Sequence, residues 1–321
     1  MRAPITLSLH LPNFNYPGVE PDGLFEHLVE IVRTAEDSGF SSITVMDHLH
    51  QIPGVGPRTN WMLEGNTILA GLAAHTSRVS VGLLVAGVTY RNPALLAKTT
   101  TTLDVISGGR AILGLGAAWY EDEHDAYGFD FPPLKERFER LEEALQIVRA
   151  MFTQEESSFE GRYYRTHDVL NNPRPLRGDI PIMIGGSGER KTLRMVAQYA
   201  DACNLFGDVE RVRHLLGVLE GHCETVGRDY GEITKTKMAP VYIAPSHDDA
   251  QRKLDAAVEA GLTPERRAMA LAGGPDEIGE QVQALLDAGI EGLTVSIPDV
   301  HDLEVVALVG NTLGPLVGAP V

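Results

Sequence analysis

Short apolar runs alternate with longer amphipathic stretches along almost the whole chain. The runs are rich in Val, Ile and Leu, which is typical of buried β-strands. The predicted strands are Ile5–Leu9, Ser42–Met46, Val79–Val85, Ala111–Gly116, Ile180–Ile184, Asp201–Phe206, Thr234–Ala244 and Gly292–Ile297.

Helical spacing fills most of the intervals between these runs. In the clearest case Phe138, Leu141 and Leu145 recur three and four residues apart, and Val148 and Phe152 continue the pattern. Such spacing predicts a helix with one buried face. Further helices are predicted at Phe25–Ala35, Ala94–Leu103, Arg190–Tyr199, Val209–Val226, Asp249–Ala260 and Asp276–Ala288.

Eight strands that alternate with helices are the number needed for a (β/α)8 barrel, a fold that typically takes about 250 residues. The 321 residues of this chain leave a surplus for long loops. Because no linker-like tract divides the chain, we expect one domain over residues 1–321. Alternation alone does not decide whether the sheet closes, so a doubly wound open sheet is the alternative architecture.

Two long loops, Asp47–Asn66 and Ala117–Leu134, follow predicted strands. In a barrel the loops after strands build the active-site face, so these two are expected to surround the functional site. The segment Thr153–Asp179 follows a helix instead, and we expect it to form a structural hairpin and a proline-rich return.

Charge and cysteine content narrow the range of partners. The chain has 27 basic and 44 acidic side chains, so its formal net charge is −17. A surface of that sign repels nucleic acid and anionic membranes, whereas a local group of backbone N–H groups can still bind a small anion. The two cysteines, Cys203 and Cys223, are too few for a disulfide framework or a structural zinc site.

The chain begins with neither a basic segment nor a long apolar stretch. Nowhere does it contain an apolar run of about 18 residues, the length needed to span a bilayer. We therefore expect no signal peptide and no transmembrane helix. The expected protein is cytoplasmic and acts on a small molecule.

Two polar residues, Asp47 and His48, end the second predicted strand. In a barrel this position opens into the mouth, where catalytic residues collect. A carboxylate beside an imidazole can fix its tautomer or raise its basicity, so the pair is a candidate for acid–base catalysis. The alternative is a capping aspartate next to a histidine with structural contacts only.

A glycine-rich turn follows the fifth predicted strand and leads into a helix. It contains Gly185, Gly186, Ser187 and Gly188, with Arg190 two residues further on. Small residues allow backbone N–H groups to converge on an anion at a helix N-terminus, and an arginine adds charge. The turn is neither a P-loop nor a nucleophile elbow. We predict a phosphate site, and a simple strand–helix turn is the alternative.

The fourth predicted strand ends at Gly116 and Ala117, two small residues that would let a flat ring lie against the backbone. Gly114 and Gly116 lack the third glycine of a dinucleotide-binding fingerprint. The acidic residues around His124 do not have metal-ligand spacing, so we expect a solvated loop there and no metal site.

Three segments together resemble the bacterial luciferase-like oxidoreductases. They are MDH at 46–48, TYRNPALLAKTTTTLDVISGGRAILGLGAAW at 89–119 and PIMIGGSGERKTLRMVAQYADACN at 181–204. The resemblance covers about Ile5–Pro315 and is nearest to the actinobacterial branch that uses coenzyme F420, an 8-hydroxy-5-deazaflavin. It implies a (β/α)8 barrel, often a homodimer, with F420 or FMN in the barrel mouth.

The resemblance also implies roles for the positions described above. Asp47 is expected near the cofactor ring and His48 beside the carbon that exchanges hydride. The segment Val85–Gly87 matches a backbone bulge behind the ring, commonly with a non-proline cis peptide. The expected cofactor contacts are Asp47, Val85, Ala86, Gly87, Gly116, Ala117, Gly185, Gly186, Ser187, Gly188 and Arg190.

Two positions depart from the sugar-phosphate dehydrogenases of this branch, which carry a glutamate where Trp119 stands and a tryptophan near Ile52. Glucose 6-phosphate is therefore not the expected substrate. Trp119 and Trp61, with Phe14 and Tyr16, indicate a more apolar substrate pocket.

Three functions fit these residues. The first is hydride transfer between F420 and a small organic substrate, with His48 as acid–base or orienting group and Asp47 as its partner. The second is an FMN-dependent monooxygenase that uses reduced flavin and oxygen. The third is a non-catalytic protein that binds a flavin or deazaflavin. The glycine turn does not separate the two cofactors, because both carry a phosphate.

Overall fold

The computed structural model describes residues 3–318, and this part of the chain contains twelve strands and eleven α-helices. The strands are β1 (Leu7–Leu11), β2 (Ser42–Val45), β3 (Ser80–Leu83), β4 (Ala86–Gly87), β5 (Ala111–Gly116), β6 (Glu156–Glu160), β7 (Arg165–Leu170), β8 (Ile182–Gly185), β9 (Ala202–Leu205), β10 (Thr234–Ile243), β11 (Leu271–Gly273) and β12 (Gly292–Ser296). The helices are α1 (Leu24–Asp37), α2 (Gly65–Ala74), α3 (Pro93–Ser107), α4 (Glu121–Tyr127), α5 (Leu134–Thr153), α6 (Thr192–Tyr199), α7 (Val209–Val226), α8 (His247–Glu259), α9 (Pro264–Met269), α10 (Pro275–Asp287) and α11 (Leu303–Val317).

Eight of the strands close into a parallel barrel. Their order is β1, β2, β3, β5, β8, β9, β10 and β12, and β12 pairs with β1 to complete the ring. The register places Leu9 beside Ile43 on one side and beside Val295 on the other. The (β/α)8 prediction is therefore confirmed, and the open-sheet alternative is wrong.

The barrel strands are buried on both faces, because their side chains alternate between the barrel interior and the layer of helices. All five residues of β1 and all four of β2 are buried. This double burial explains why the sequence shows continuous apolar runs rather than strict alternation of apolar and polar residues.

Local capping signals determine where the predicted helices begin and end. At α3 the side chain of Asn92 accepts hydrogen bonds from the amides of Ala94 and Leu95, and Pro93 occupies the first turn. The helix ends at Gly108, which adopts the left-handed conformation with φ of +69°. A proline start and a glycine end are the usual asymmetry of helices.

The predicted barrel strands agree with the observed ones to within two residues at each end. The largest shift is at β1, which runs over Leu7–Leu11 instead of Ile5–Leu9. The third strand ends early, at Leu83. A cis peptide then joins Leu84 to Val85, and the chain continues into β4, which pairs with β5.

Four helices, α2, α4, α9 and α11, have no clear signal in the sequence. Helices α2 and α11 are apolar over most of their surface, so they show little periodic contrast, and α4 and α9 are short and polar. The segment Thr153–Asp179 does contain the expected hairpin, formed by β6 and β7. Within residues 3–318, no helix is both long enough and apolar enough to cross a bilayer.

Candidate active site

A cavity of about 500 Å³, here termed the mouth cavity, opens at the carboxyl ends of the barrel strands. The strand ends that reach it include His10, Met46, Gly116, Gly185, Asn204 and Met238. Nine predicted site residues line it, namely Asp47, His48, Val85, Ala86, Gly87, Gly116, Ala117, Gly185 and Gly186. Residues that are far apart in the chain but share a strand-end position are thus brought to one place, where barrels carry their active sites.

Asp47 is buried just beyond β2, and its partner is not His48. Its Oδ2 atom accepts hydrogen bonds from the amide of Gly87 (3.0 Å) and from Nη1 of Arg91 (2.7 Å). Arg91 also pairs with Glu64 over 2.6 Å. The prediction that Asp47 orients His48 is therefore wrong, because neighbouring side chains of an extended segment point in opposite directions.

The carboxylate partner of His48 is Glu123, 75 residues further along the chain. Nδ1 of His48 donates to Oε2 of Glu123 over 2.8 Å. The same carboxylate accepts hydrogen bonds from the hydroxyl of Tyr90 and from the backbone amides of Leu49 and His50. Four donors thus surround one carboxylate that is completely buried.

The acidic segment around His124 folds as α4, so the prediction of a solvated loop is wrong. Glu123 and His124 face inward and are buried, whereas the other acidic residues of the helix are exposed. Nδ1 of His124 donates to the carbonyl of Tyr120 over 2.7 Å, and its Nε2 accepts from the hydroxyl of Thr89 over 2.6 Å. In the described part of the chain, no three acidic, histidine or cysteine side chains are placed to hold a metal ion.

The pKa values of the two buried carboxyl groups of the site are shifted in opposite directions. Burial alone raises the pKa of Glu123, but its hydrogen bonds, first that of His48, outweigh burial and lower this pKa to about 2. At Asp47 burial prevails over Arg91, and the pKa is raised. Glu123 is therefore ionised at neutral pH and can only accept hydrogen bonds, so Nδ1 of His48 carries a proton toward it. The other ring nitrogen, Nε2, remains for a ligand.

Val85 covers two glycines in the floor of the mouth cavity. A Cβ atom at Gly116 would lie 2.9 Å from Cγ2 of Val85, and one at Gly185 would lie 3.1 Å from its Cγ1. At Gly114 a Cβ atom would lie 2.0 Å from the carbonyl oxygen of Leu83. The peptide before Val85 is cis, as the family resemblance implies. The close approach of this segment to β5 and β8 explains why these strands carry glycine.

The glycine turn after β8 is tied to the next strand of the barrel. Gly186 adopts φ of +122°, a conformation that favours glycine. Its amide donates to the carbonyl of Asn204 over 3.1 Å. Oγ of Ser187 accepts a hydrogen bond from the amide of Phe206 over 2.9 Å. Further along the turn, Nη1 of Arg211 donates to the carboxylate of Glu189 over 2.7 Å, so backbone and side-chain contacts both hold it in place.

The remaining predicted phosphate contacts lie outside the mouth cavity. Ser187, Gly188 and Arg190 do not line it, and Gly188 and Arg190 are exposed. Helix α6 begins at Thr192, two residues later than predicted. The binding of a phosphate by this turn stays a prediction.

Two buried polar atoms in the mouth cavity lack a hydrogen-bond partner within residues 3–318. They are Oδ1 of Asp47, an acceptor, and Nδ2 of Asn204, a donor. The other amide atom of Asn204 contacts the hydroxyl of Thr236 over 3.0 Å. Because unpaired buried polar atoms are costly, this pair indicates that a polar ligand completes the site.

Of the four aromatic residues predicted to make an apolar pocket, Trp119 alone lines the mouth cavity. Its ring is 58% exposed and meets that of His48 edge to face, with centroids 5.6 Å apart. Phe14 is fully buried in the core, and Trp61 packs against the core. Tyr16 lines a second cavity, separate from the mouth cavity. The prediction fails for these three, because it did not determine the direction of the loops that carry them.

The closed barrel, with its cavity at the carboxyl ends of the strands, defines a (β/α)8-barrel enzyme. The chain belongs to the luciferase-like monooxygenase family, whose model matches residues 5–292. It is 28% identical over 319 residues to the F420-dependent glucose-6-phosphate dehydrogenase of Segniliparus rotundus. That match covers 90% of this chain and 92% of the relative.

Solved structures share the architecture. The coenzyme F420-dependent tetrahydromethanopterin reductase from Methanopyrus kandleri superimposes with a TM-score of 0.79 at 21% identity, over 98% of this chain and 99% of the other. An F420-dependent secondary alcohol dehydrogenase, in complex with an F420-acetone adduct, gives a TM-score of 0.81 at 18% identity over 99% of both chains. These likenesses show that the fold is the same.

Proposed function

We propose that this protein is a coenzyme F420-dependent oxidoreductase that moves a hydride between the deazaflavin and a small organic molecule. The main support is the position of His48, which is held by the ionised Glu123 and lines the mouth cavity. Glycine backbone and Val85 form the base of that cavity. The name of the Segniliparus rotundus relative, which specifies F420, supports the choice of cofactor. When bound, F420 supplies a ring carbon that accepts or donates the hydride.

The residues of the mouth cavity fit such a ring system. A deazaflavin presents carbonyl and N–H groups along one edge. The free acceptor of Asp47 and the free donor of Asn204 are the complementary groups. Because Val85 covers Gly116, the flat ring is proposed to lie against Val85 and Ala117. The turn from Gly185 to Arg190 is proposed to hold the phosphate.

His48 is proposed to move the proton that accompanies hydride transfer. Because Glu123 keeps Nδ1 protonated, Nε2 can give or take a proton at a substrate atom whose charge changes. Asp47 is proposed as a cofactor contact and not as an acid or base. Its ion pair with Arg91 and its hydrogen bond from Gly87 hold the segment after β3 in place.

The Glu123 network argues against a protein that only binds a flavin or deazaflavin. Four hydrogen bonds converge on one buried carboxylate and fix the ring of His48. Binding alone does not require a histidine with a fixed tautomer. The FMN-dependent monooxygenase differs from our proposal in its cofactor, so the cofactor is the point to test.

The test is a spectroscopic titration of the purified protein with F420 and, separately, with FMN. We expect saturable binding of F420, and binding of FMN that is weaker by at least about tenfold, a difference of about 1.4 kcal/mol. Saturable binding of FMN together with no binding of F420 would overturn the proposal. Glucose 6-phosphate is then added to the F420-loaded protein, and bleaching of the cofactor reports hydride transfer.

We expect no such bleaching. Ile52 and Trp119, the two positions that depart from the sugar-phosphate dehydrogenases, both line the mouth cavity.

We also propose that residues 1–321 form one domain, and that the protein acts in the cytoplasm as a homodimer. Size-exclusion chromatography with light scattering tests the oligomeric state.

A further inference from the structure

A second cavity of about 470 Å³, here termed the side cavity, lies beside the mouth cavity at the same end of the barrel. Strand β1 contributes His10 to the mouth cavity, and Pro12, just beyond it, lines the side cavity. Strand β10 likewise contributes Met238 to one and Pro240 to the other. Arg266, on α9, lines both. Its side chain therefore stands where the two cavities meet.

The guanidinium of Arg266 has no hydrogen bond or ion pair with any residue in the range 3–318. Other shielded arginines of this chain are fully engaged. Arg91 and Arg149 each pair with two carboxylates, and Arg110 donates to several backbone carbonyls. Because Arg266 is partly exposed, solvent can hydrate its guanidinium, and an anion that enters either cavity can replace that water. The contrast with the engaged arginines therefore indicates that Arg266 is available to an anion from outside the chain.

The groups around Arg266 supply no negative charge. His10 bonds to Thr44 over 3.1 Å, and burial, with the charges of Arg266 and His48, lowers the pKa of His10 to about 3. His10 is therefore neutral. The carboxylate of Asp299 on the side-cavity end is already paired with Lys253 over 2.5 Å.

One part of the side-cavity lining beyond Arg266 is apolar, and some of its polar groups are already paired. The hydroxyl of Tyr16 already donates to the carbonyl of Asn13 over 2.6 Å, and the amide of Asn13 donates to Asn15 over 3.1 Å. Its apolar wall includes Val55, Leu262, Ile297, Pro298 and Val300. This part of the wall suits the apolar body of a ligand.

We propose that Arg266 and the side cavity form a recognition site for an organic acid. The carboxylate of the acid pairs with the guanidinium of Arg266 between the two cavities, and its apolar body occupies the side cavity. The carboxylate end then lies beside the mouth cavity, next to His10. The identification of such an acid as the substrate rests on the proposed function, whereas the binding site itself does not.

The experiment is isothermal titration calorimetry with three probes at constant ionic strength, on cofactor-free and on F420-loaded protein. The probes are benzoate, its uncharged counterpart benzamide, and glucose 6-phosphate. We expect benzoate to bind at least about tenfold more tightly than benzamide, as a charge-assisted hydrogen bond predicts. Equal binding of benzoate and benzamide would overturn the proposal. Tighter binding of glucose 6-phosphate than of benzoate would overturn the apolar part of it.

Arg266→Gln and Arg267→Gln form a matched pair, because they remove the same charge from neighbouring positions. Arg266→Gln should abolish the preference for benzoate over benzamide, and Arg266→Lys should retain part of it. Arg267→Gln removes an exposed charge that lines neither cavity and should leave the preference unchanged. An Arg266→Gln protein that keeps the preference contradicts the assignment. Circular dichroism establishes that each variant is folded.

The titrations distinguish this inference from the proposed function. If F420 fails to bind while cofactor-free protein still prefers benzoate through Arg266, the anion site stands and the cofactor assignment is wrong. If F420 binds and no variant alters benzoate binding, the cofactor assignment stands and the anion site is wrong.

Discussion

The two walls of the mouth cavity are built in opposite ways. The side-chain wall presents Asp47, His48 and Tyr90 to the cavity. Behind them, Arg91 pairs with Asp47, and Glu123 accepts hydrogen bonds from His48 and Tyr90. The backbone wall consists of Gly116, Gly185 and Gly186, where the main chain itself reaches the cavity. The side-chain wall supplies charged and proton-carrying groups, and the backbone wall supplies main-chain surface and amide groups.

This difference determines what each wall tolerates. The side-chain wall depends on the protonation state of buried groups, so a change that keeps the shape but alters the charge disrupts it. The backbone wall contains no titratable group, and it is sensitive to added volume and to φ.

The largest effect is expected for Glu123→Gln. The amide keeps the size of the side chain but brings an NH2 group toward four donors, so at least one buried donor loses its acceptor. We expect the free energy of unfolding to fall by about 2–4 kcal/mol. Urea denaturation measures this change. Nitrogen-15 NMR of the histidines should also show that His48 no longer keeps one tautomer.

Glu121→Gln is the matched control, because Glu121 lies on the same helix and is exposed. This variant should unfold within about 0.5 kcal/mol of the parent. Equal stability of the Glu123 and Glu121 variants would remove the contrast between the two walls.

Within the side-chain wall, the sequence predicted Asp47 and His48 but not the carboxylate that pairs with His48. Asp47 and His48 are adjacent in the chain, and a direct pair was the natural expectation. The true partner lies 75 residues away in a segment of mixed acidic residues, where nothing marks one glutamate as buried. A helical projection of Glu121–Tyr127 with its apolar neighbours was the available signal, and the helix is too short for that signal to be strong.

The second effect is expected for Gly186→Val. A valine at φ of +122° is strained, and its Cβ would lie 3.4 Å from Cγ2 of Thr192. Such strain, about 1–3 kcal/mol, favours a different conformation of the turn, which would move its backbone amides out of position. Affinity for F420 should therefore fall by about tenfold or more. The measurement is the F420 titration, with circular dichroism to establish folding.

Gly217→Val is its control, because Gly217 lies exposed in α7 and a Cβ atom there meets nothing within 4 Å. It should bind F420 like the parent. A Gly186 variant that also binds like the parent would show that the turn is structural and that the phosphate lies elsewhere.

The barrel and the backbone wall, by contrast, could be predicted from the sequence. Continuous apolar runs predicted the strands, and glycines at strand ends predicted close approach of the backbone. Both signals are local, so they are read without knowledge of long-range contacts. The loops after strands were correctly placed at the mouth. The position of Trp119 at the mouth cavity and the burial of Phe14 in the core depend, however, on packing between distant segments.

The third effect is a loss of stability in acid that arises from side chains of the mouth cavity. His10 has a pKa of about 3 in the folded chain against 6.5 in the reference state, so the unfolded chain binds more protons between these values. Stability therefore falls as the pH drops below about 6.5, by about 1.4 kcal/mol at pH 5.5. Urea denaturation at a series of pH values from about 7.5 down to about 3.5 measures it.

His10→Asn should flatten this decline, because an amide does not titrate. Exchange of the exposed His167 for Asn should not, since solvent surrounds that ring in both states. The Glu123 carboxylate adds a further loss only in more acidic solution, as the pH falls from about 4.5 toward 2. A decline that begins near pH 4.5 in the parent would assign the acid sensitivity to carboxylates and not to His10.

The smallest effect is expected for Arg190→Ala, the one charged side chain that the sequence placed in the phosphate turn. Arg190 is exposed and lines neither cavity. At physiological ionic strength charges are screened beyond about 8 Å, and exposed pairs contribute about 0–1 kcal/mol. At physiological ionic strength, affinity for F420 should therefore fall by less than about threefold. The loss should be larger at low salt, where charges are screened less. The F420 titration at two salt concentrations measures both values. A loss of tenfold or more that persists at high salt would place the guanidinium directly on the phosphate, and the wall would then use side-chain charge as well as backbone.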